Sequence, residues 1–324
     1  MLALAVGLAV AAHAPQCLDP GFPTHSTPVY SGANLSAALL ALSSPPPAGG
    51  QSGGGQGSLA VAVVCPLAEM TRTVGNVTLQ AGQGLSIAGP RSAEPISTGP
   101  ERPRLWGRFV VHQGALLRLA DVEMREQAVA PADFNSPLLG AALWAQGSLR
   151  ATRVSFRQLT TTVIGGAAYI ASGGRAEFRY CLFDGNAATN GCSHRTASGT
   201  PYTSAGGGGA LALASGAGAI LEGCTVQGSR SGCAGGAIDM TSENRSHPFA
   251  SNLTITASRF ANNSAFERVG NDTHIMRKGD NHGAVPCPPP ARACEKQGTE
   301  KQGTDRCCLD GDFHSGLNLT LPSA

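Results

Sequence analysis

The polar side chains with the greatest chemical capacity crowd together late in the chain. Within thirteen residues, Asn271-Asp272 leads through Arg277-Lys278 and Gly279-Asp280 to Asn281-His282-Gly283. Carboxylates and an imidazole are residue types that take and give protons in general acid–base catalysis, and neighbouring cations can hold an anionic group. Such work needs the groups held apart on a rigid scaffold, and this stretch carries no strand or helix period, so it reads as a solvated linker. Nearby, Cys287, Cys294, Cys307 and Cys308 with His282 and His314 are numerous enough for zinc, but no Cys-x-x-Cys pair occurs among them. No metal, cofactor or catalytic residue is therefore assigned.

The elements that would have to position any site follow from an internal repeat. An apolar anchor recurs at Met124, Phe156, Phe183, Val226 and Phe260. Seven residues before each stand Leu117, Leu149, Ala176, Ala219 and Leu253; five before stand Leu119, Ala151, Phe178, Leu221 and Ile255. Two before stand Val122, Val154, Cys181, Cys224 and Ser258. The spacing of two is strand alternation, and the gap of three reads as a bend into a second strand. Upstream of four anchors lies another strand that opens on small residues: Gly140-Ala-Ala-Leu, Gly165-Gly-Ala-Ala, Gly208-Gly-Ala-Leu and Gly235-Gly-Ala-Ile.

Such units cannot bury their apolar faces alone, whereas stacked copies pair every strand with its neighbours and close a continuous interior. No helical period separates the strands, which argues against a βαβ sheet; an antiparallel sandwich does not predict one register recurring five times. The chain is expected to be all-β, a single-stranded right-handed parallel β-helix over residues 75–266. Residues 1–14 read as a signal peptide and 15–74 as an N-terminal cap with a Gly/Pro/Ser-rich loop. In that cap, Asn34 or Ser36 starts a short helix whose Leu35, Leu39, Leu40 and Leu42 cover one face. Residues 267–324 form an irregular Cys-rich tail, either disordered or the start of something longer.

The repeat gives some side chains neighbours. Cys181 and Cys224 occupy one position in consecutive coils, about a disulfide's reach apart, and either bond or stack as free thiols; Cys192 and Cys233 fall in the following turn as a second candidate staple. Facing outward are Arg118, Arg150 and Glu177 six before the anchor, with Arg179 and Glu222 four before it. Arg179 opposite Glu222 reads as a surface ion pair.

Several features point to export. An apolar stretch ends in Ala12-His13-Ala14, a small-x-small cleavage pattern, and the ten Cys are an even number. Asn-x-Ser/Thr sequons stand at Asn34, Asn76, Asn244, Asn252, Asn262, Asn271 and Asn318. A secreted or extracellular place, at a cell surface or in a cell wall, follows. The formal net charge of +2 lacks the basic footprint of a nucleic-acid binder, and no apolar run approaches the length of a transmembrane span.

Gly235-Gly-Ala-Ile238 and Gly208-Gly-Ala-Leu211, with Phe183-Asp-Gly-Asn186 and Phe260-Ala-Asn-Asn263, resemble the GGA(I/L/V) and FxxN repeats of the chlamydial polymorphic membrane protein family. More broadly the chain resembles the pectin-lyase-like superfamily of right-handed parallel β-helices. The other coils depart from FxxN with Met124-Arg-Glu-Gln127, Phe156-Arg-Gln-Leu159 and Val226-Gln-Gly-Ser229, and no autotransporter barrel follows. The resemblance implies a fold more than an activity. The pieces at 271–283 are similar to polygalacturonase motifs, which in that family lie on separate coils, so they do not carry over. Two functions are expected from it. One is a non-catalytic surface, matrix or adhesive module binding a polysaccharide or a cell-surface or matrix protein along the solenoid face. The other is a polysaccharide lyase or glycoside hydrolase whose site lies in the insert at 186–206 or the loop at 126–137.

Overall fold

Short runs of alternating apolar residues, each closed by a residue able to turn the chain, form strands too brief to stand alone and long enough to stack. The computed structural model describes residues 27–32, 34–43, 60–64, 71–89, 102–125, 128–129, 139–189, 207–233, 235–241, 251–266, 273–276, 292–293, 306–309 and 319–320. One sheet stacks β1 (Thr27–Gly32), β2 (Ala60–Val64), β4 (Gln83–Ala88), β6 (Leu116–Ala120), β10 (Ser148–Thr152), β14 (Arg175–Arg179), β18 (Gly218–Glu222) and β22 (Asn252–Thr256), all parallel. The two-residue β28 (Leu319–Thr320) closes this sheet antiparallel to β22.

The second sheet holds two columns. One contains β7 (Glu123–Arg125), β11 (Ser155–Arg157), β15 (Leu182–Asp184), β19 (Thr225–Gln227) and β23 (Arg259–Ala261). The other contains β9 (Leu143–Ala145), β13 (Ala168–Ile170), β17 (Leu211–Ala214), β21 (Ile238–Thr241) and β25 (Thr273–Met276). They join because β5 (Arg104–Val111) is long enough to pair with β7 at its start and β9 at its end, while β3 (Thr71–Leu79) pairs with β5 from the other side. A third sheet of two-residue strands stacks β8 (Ala128–Val129), β12 (Thr160–Thr161), β16 (Ala187–Ala188), β20 (Arg230–Ser231) and β24 (Ser264–Ala265). The chain visits the sheets in turn, so strand pairing in the repeats is parallel throughout, as in a solenoid.

The register is the one the repeat predicts. Leu117, Leu149, Ala176, Ala219 and Leu253 face each other in order, as do Leu119, Ala151, Phe178, Leu221 and Ile255. The anchors Met124, Phe156, Phe183, Val226 and Phe260 are likewise in register. All fifteen are buried, as are the five residues two before the anchors. Phe156 and Phe183 stack with ring centroids 4.8 Å apart, and Phe178 meets Phe183 edge-on at 5.3 Å. Aromatic pairs of this geometry add to the burial of their area.

The glycines that open one strand column have two separate reasons. Gly208 has φ +66°, and a Cβ there would run into the Leu211 carbonyl; a Cβ on Gly209 would strike the backbone of Gly236 in the next coil and of Arg230. The first glycine permits the turn and the second permits the close approach. The asparagine of FxxN has a structural role too. Asn186, fully buried, accepts from the Leu159 N–H at 3.1 Å and donates to the Phe156 carbonyl at 3.0 Å. Two repeats further along the same face, Asn263 accepts from the Ser229 N–H at 2.9 Å and donates to the Val226 carbonyl at 2.9 Å. Each asparagine thus ties its bend to the same bend of the preceding coil, satisfying backbone groups that strand pairing leaves over.

The N-terminal end is covered as expected. Helix α1 (Leu35–Ser43) packs on β1 and β2, with the Asn34 Oδ1 accepting from the Ala37 N–H at 3.2 Å as its N-cap. Leu35, Ala38 and Leu42 are buried, whereas Leu40 is exposed. The parallel stacking begins earlier than residue 75, at β1. At the other end, the tail expected to be irregular contributes β25, β28, β26 (Arg292–Ala293) and β27 (Arg306–Leu309), the last pairing antiparallel with both β25 and β26. Pairing at a sheet edge uses main-chain groups alone, so such segments join it without an apolar alternation that would announce them.

Candidate functional site

The outer face of the first sheet carries a depression of about 250 Å³ that crosses β10, β14, β18 and β22. Its walls are two outward columns. One runs Ser148, Arg175, Gly218 and Asn252; the other runs Arg150, Glu177, Ile220 and Thr254. Gly218 creates the dip, because it places no side chain in its column. The Arg175 stem leans over that gap, and its guanidinium donates to the Gly174 carbonyl at 2.9 Å and the Gly216 carbonyl at 3.0 Å. Ile220, 43% exposed, gives the floor an apolar spot where alternation calls for a polar residue.

Beside the dip, charges pair across coils. Glu177 lies between Arg150, at 3.4 Å, and Arg179, which also reaches Glu222 at 3.4 Å. The Arg179 guanidinium is held above its ordinary pKa, first by its hydrogen bond to Glu177. The ion pair read between Arg179 and Glu222 is thus present, with Glu177 added to it. Arg118, in the same outward column, is buried. A depression of small, apolar and hydrogen-bonding groups rimmed by paired arginines suits a polar ligand laid across the strands.

A second cluster lies on the bend between β6 and β7. Asp121, buried and at φ +52°, receives Arg153 at 2.5 and 2.8 Å and Arg102 at 3.3 Å. Burial lowers the pKa of Arg102, partly offset by Asp121. On the adjacent outer face, Glu123 has Arg104, Arg125 and Arg157 within 3.4 to 3.9 Å. These charges are spent on one another and fix the bend.

The two thiols that could have bonded are free. Cys181 and Cys224 are both buried, and their Sγ atoms point to the Ala151 and Phe178 carbonyls at 3.4 and 3.3 Å. Burial pushes the Cys181 thiol up, with Cys224 adding to it, so the neutral form is held. Of the two arrangements open to the repeat position, the stacked thiols are the one present. Cys233 is in a disulfide; Cys192, its expected partner, lies outside the described residues.

Four sequon asparagines are described: Asn34, Asn76, Asn252 and Asn262, all exposed. Asn244, Asn271 and Asn318 lie outside the described residues, as do 190–206, nearly all of the loop at 126–137, and the 271–283 stretch apart from β25. No group of three or more His, Cys, Asp or Glu among the described residues is placed to hold a metal ion. Among the described residues no helix is long and apolar enough to cross a membrane.

One feature escaped the repeat. On the outer side of the second sheet, Trp144, Tyr169 and Ala212 stand in register, and Tyr169 and Ala212 are buried with Ile164, Ala171 and Ala214, flanked by Leu139 and Val163. This face is a satellite core and not a free surface. Its sequence signal is the apolar pair Val163-Ile164 in what otherwise reads as a turn.

No family model matches the chain, and no curated protein or solved structure matches it.

Proposed function

We propose that this protein is a secreted, non-catalytic module built on one right-handed parallel β-helix of the pectin-lyase-like kind, which binds a glycan or protein partner along the outer face of its first sheet. The observation that supports this reading is the depression crossing four stacked strands. It offers a ligand Ser148 and Thr254 as hydrogen-bonding groups, Ile220 as an apolar contact and Arg150 as a cation. A linear polymer lying across the strands would meet this surface one coil at a time, so each added coil would contribute a similar contact. The carboxylates nearest the depression, Glu177 and Glu222, are held by arginines in ion pairs, an arrangement suited to a fixed surface.

The test is retention on insoluble polysaccharides and on extracellular-matrix preparations, comparing the wild-type chain with Ile220→Asp and Arg150→Ala. Both positions are solvent-facing, so both variants are expected to fold with an unchanged melting temperature. Weaker retention of both supports the reading. Undiminished retention, or no retention by the wild type on any surface, contradicts it.

A further inference from the structure

The sequons are distributed unevenly in the chain and in the fold. Of twelve asparagines, seven begin an Asn-x-Ser/Thr sequon, although only 27 Ser and 22 Thr stand among 324 residues and chance would give about two. None falls between residues 77 and 243, the stretch that builds the central coils. The two asparagines that the structure buries, Asn186 and Asn263, are not sequon asparagines, and the four described sequon asparagines are exposed.

Those four occupy the ends of the strand stack. Asn34 caps α1, which packs on β1, the first strand of its sheet. Asn76 lies on β3, whose only strand partner among the described residues is β5. Asn252 opens β22, beyond which, among the described residues, only the two-residue β28 follows in that sheet. Asn262, at φ +55°, is the turn between β23 and β24, which are the terminal strands of their sheets. Terminal strands are where main-chain N–H and C=O groups remain open to pairing with another chain.

We propose that Asn34, Asn76, Asn252 and Asn262 carry N-linked glycans, and that these wall off both ends of the stack against edge-to-edge pairing with a second copy while the flanks of the central coils stay bare. A branched, hydrated oligosaccharide beside a terminal strand excludes an approaching strand by volume, which a single charged side chain does less well. The arrangement also bounds the depression on the first sheet. Asn252 stands at its far end, so a glycan there would leave the Ser148 to Ile220 portion open. The occupancy and the edge role do not depend on what the depression binds.

The experiment expresses the full chain through a eukaryotic secretory pathway and maps occupancy by mass spectrometry of glycopeptides. It then follows the folded protein by sedimentation velocity before and after enzymatic removal of N-glycans. The double variant Asn252→Gln with Asn262→Gln is carried in parallel. The expected result is occupancy at all four asparagines, a monomer while glycosylated, and a shift to faster-sedimenting species after removal and in the double variant. Unoccupied Asn252 and Asn262 would overturn the proposal, and so would full occupancy with an unchanged monomer after removal. Enzymatic removal acts on folded protein, so a folding failure of the variant would not obscure the answer.

Discussion

Replacing Asn186 by alanine tests the claim that the FxxN asparagine is a fastener between coils. The side chain is fully buried, and its two hydrogen bonds hold the Leu159 N–H and the Phe156 carbonyl of the preceding coil. Asn186→Ala strands a buried N–H, which costs about 1–3 kcal/mol, and removes one of the two bonds a carbonyl can accept, worth about 0.5–1.5 kcal/mol. The expected loss is therefore about 1.5–4.5 kcal/mol, a large share of the roughly 5–15 kcal/mol that holds a domain together. Urea unfolding should show a lower midpoint with an unchanged slope, since the surface exposed on unfolding barely alters. Asn252→Ala, at an exposed position of β22, is the control and should move stability by less than about 0.5 kcal/mol. If the two variants destabilise equally, the fastener reasoning is wrong.

The same logic predicts a gain at Ser229, which stands where Asn186 and Asn263 stand in the neighbouring coils and whose buried hydroxyl has no hydrogen-bond partner. Ser229→Asn should add about 1 kcal/mol to the urea stability, provided the protein is made in a host without N-glycosylation, because the substitution completes a sequon with Ser231. Gly209→Ala should cost about 3 kcal/mol or more, or prevent folding, because a Cβ there meets the next coil's backbone; Gly82→Ala, at φ +79° in open space, should cost only about 1–2 kcal/mol of backbone strain. Circular dichroism melts distinguish these two. Cys181 and Cys224, buried and with the Cys181 thiol held protonated, should resist alkylation at neutral pH in the folded protein and react fully in urea, while non-reducing peptide mapping finds Cys233 bonded. Rapid labelling of the native thiols would contradict the burial.

What the sequence reveals of the fold is the part governed by periodicity. The four-position register from Leu117 to Phe260 is visible because every coil must present apolar groups to one shared interior, and a period-two pattern with a fixed bend is the only way this chain does so. The two-residue strands such as Ala187–Ala188 leave no pattern, since a pair of residues has no period. The tail strands are equally silent, being recruited by main-chain pairing. Asn186 could be quoted as a motif letter, but its role rests on contacts between residues 27 and 30 positions apart.

The depression is less legible still. Its outward columns follow from the repeat, so Arg150, Glu177, Arg179 and Glu222 could be placed on the surface in advance. That Gly218 opens a dip and Ile220 floors it depends on which small residue falls in which coil, and no spacing rule selects that. The outward alternation that exposes Ile220 on the first sheet also places Tyr169 outward on the second, where neighbouring segments bury it. Alternation assigns a side of the sheet; it does not say what covers that side.

The central claim is that this surface binds without cleaving. It is tested most directly by incubating the purified protein with soluble and insoluble polysaccharides, with and without calcium, while measuring both protein depletion and newly formed reducing or unsaturated ends. The account predicts depletion, reduced by Ile220→Asp, with no new ends over the no-protein control. Release of such ends, abolished when carboxylates are replaced, would contradict it and make the protein an enzyme.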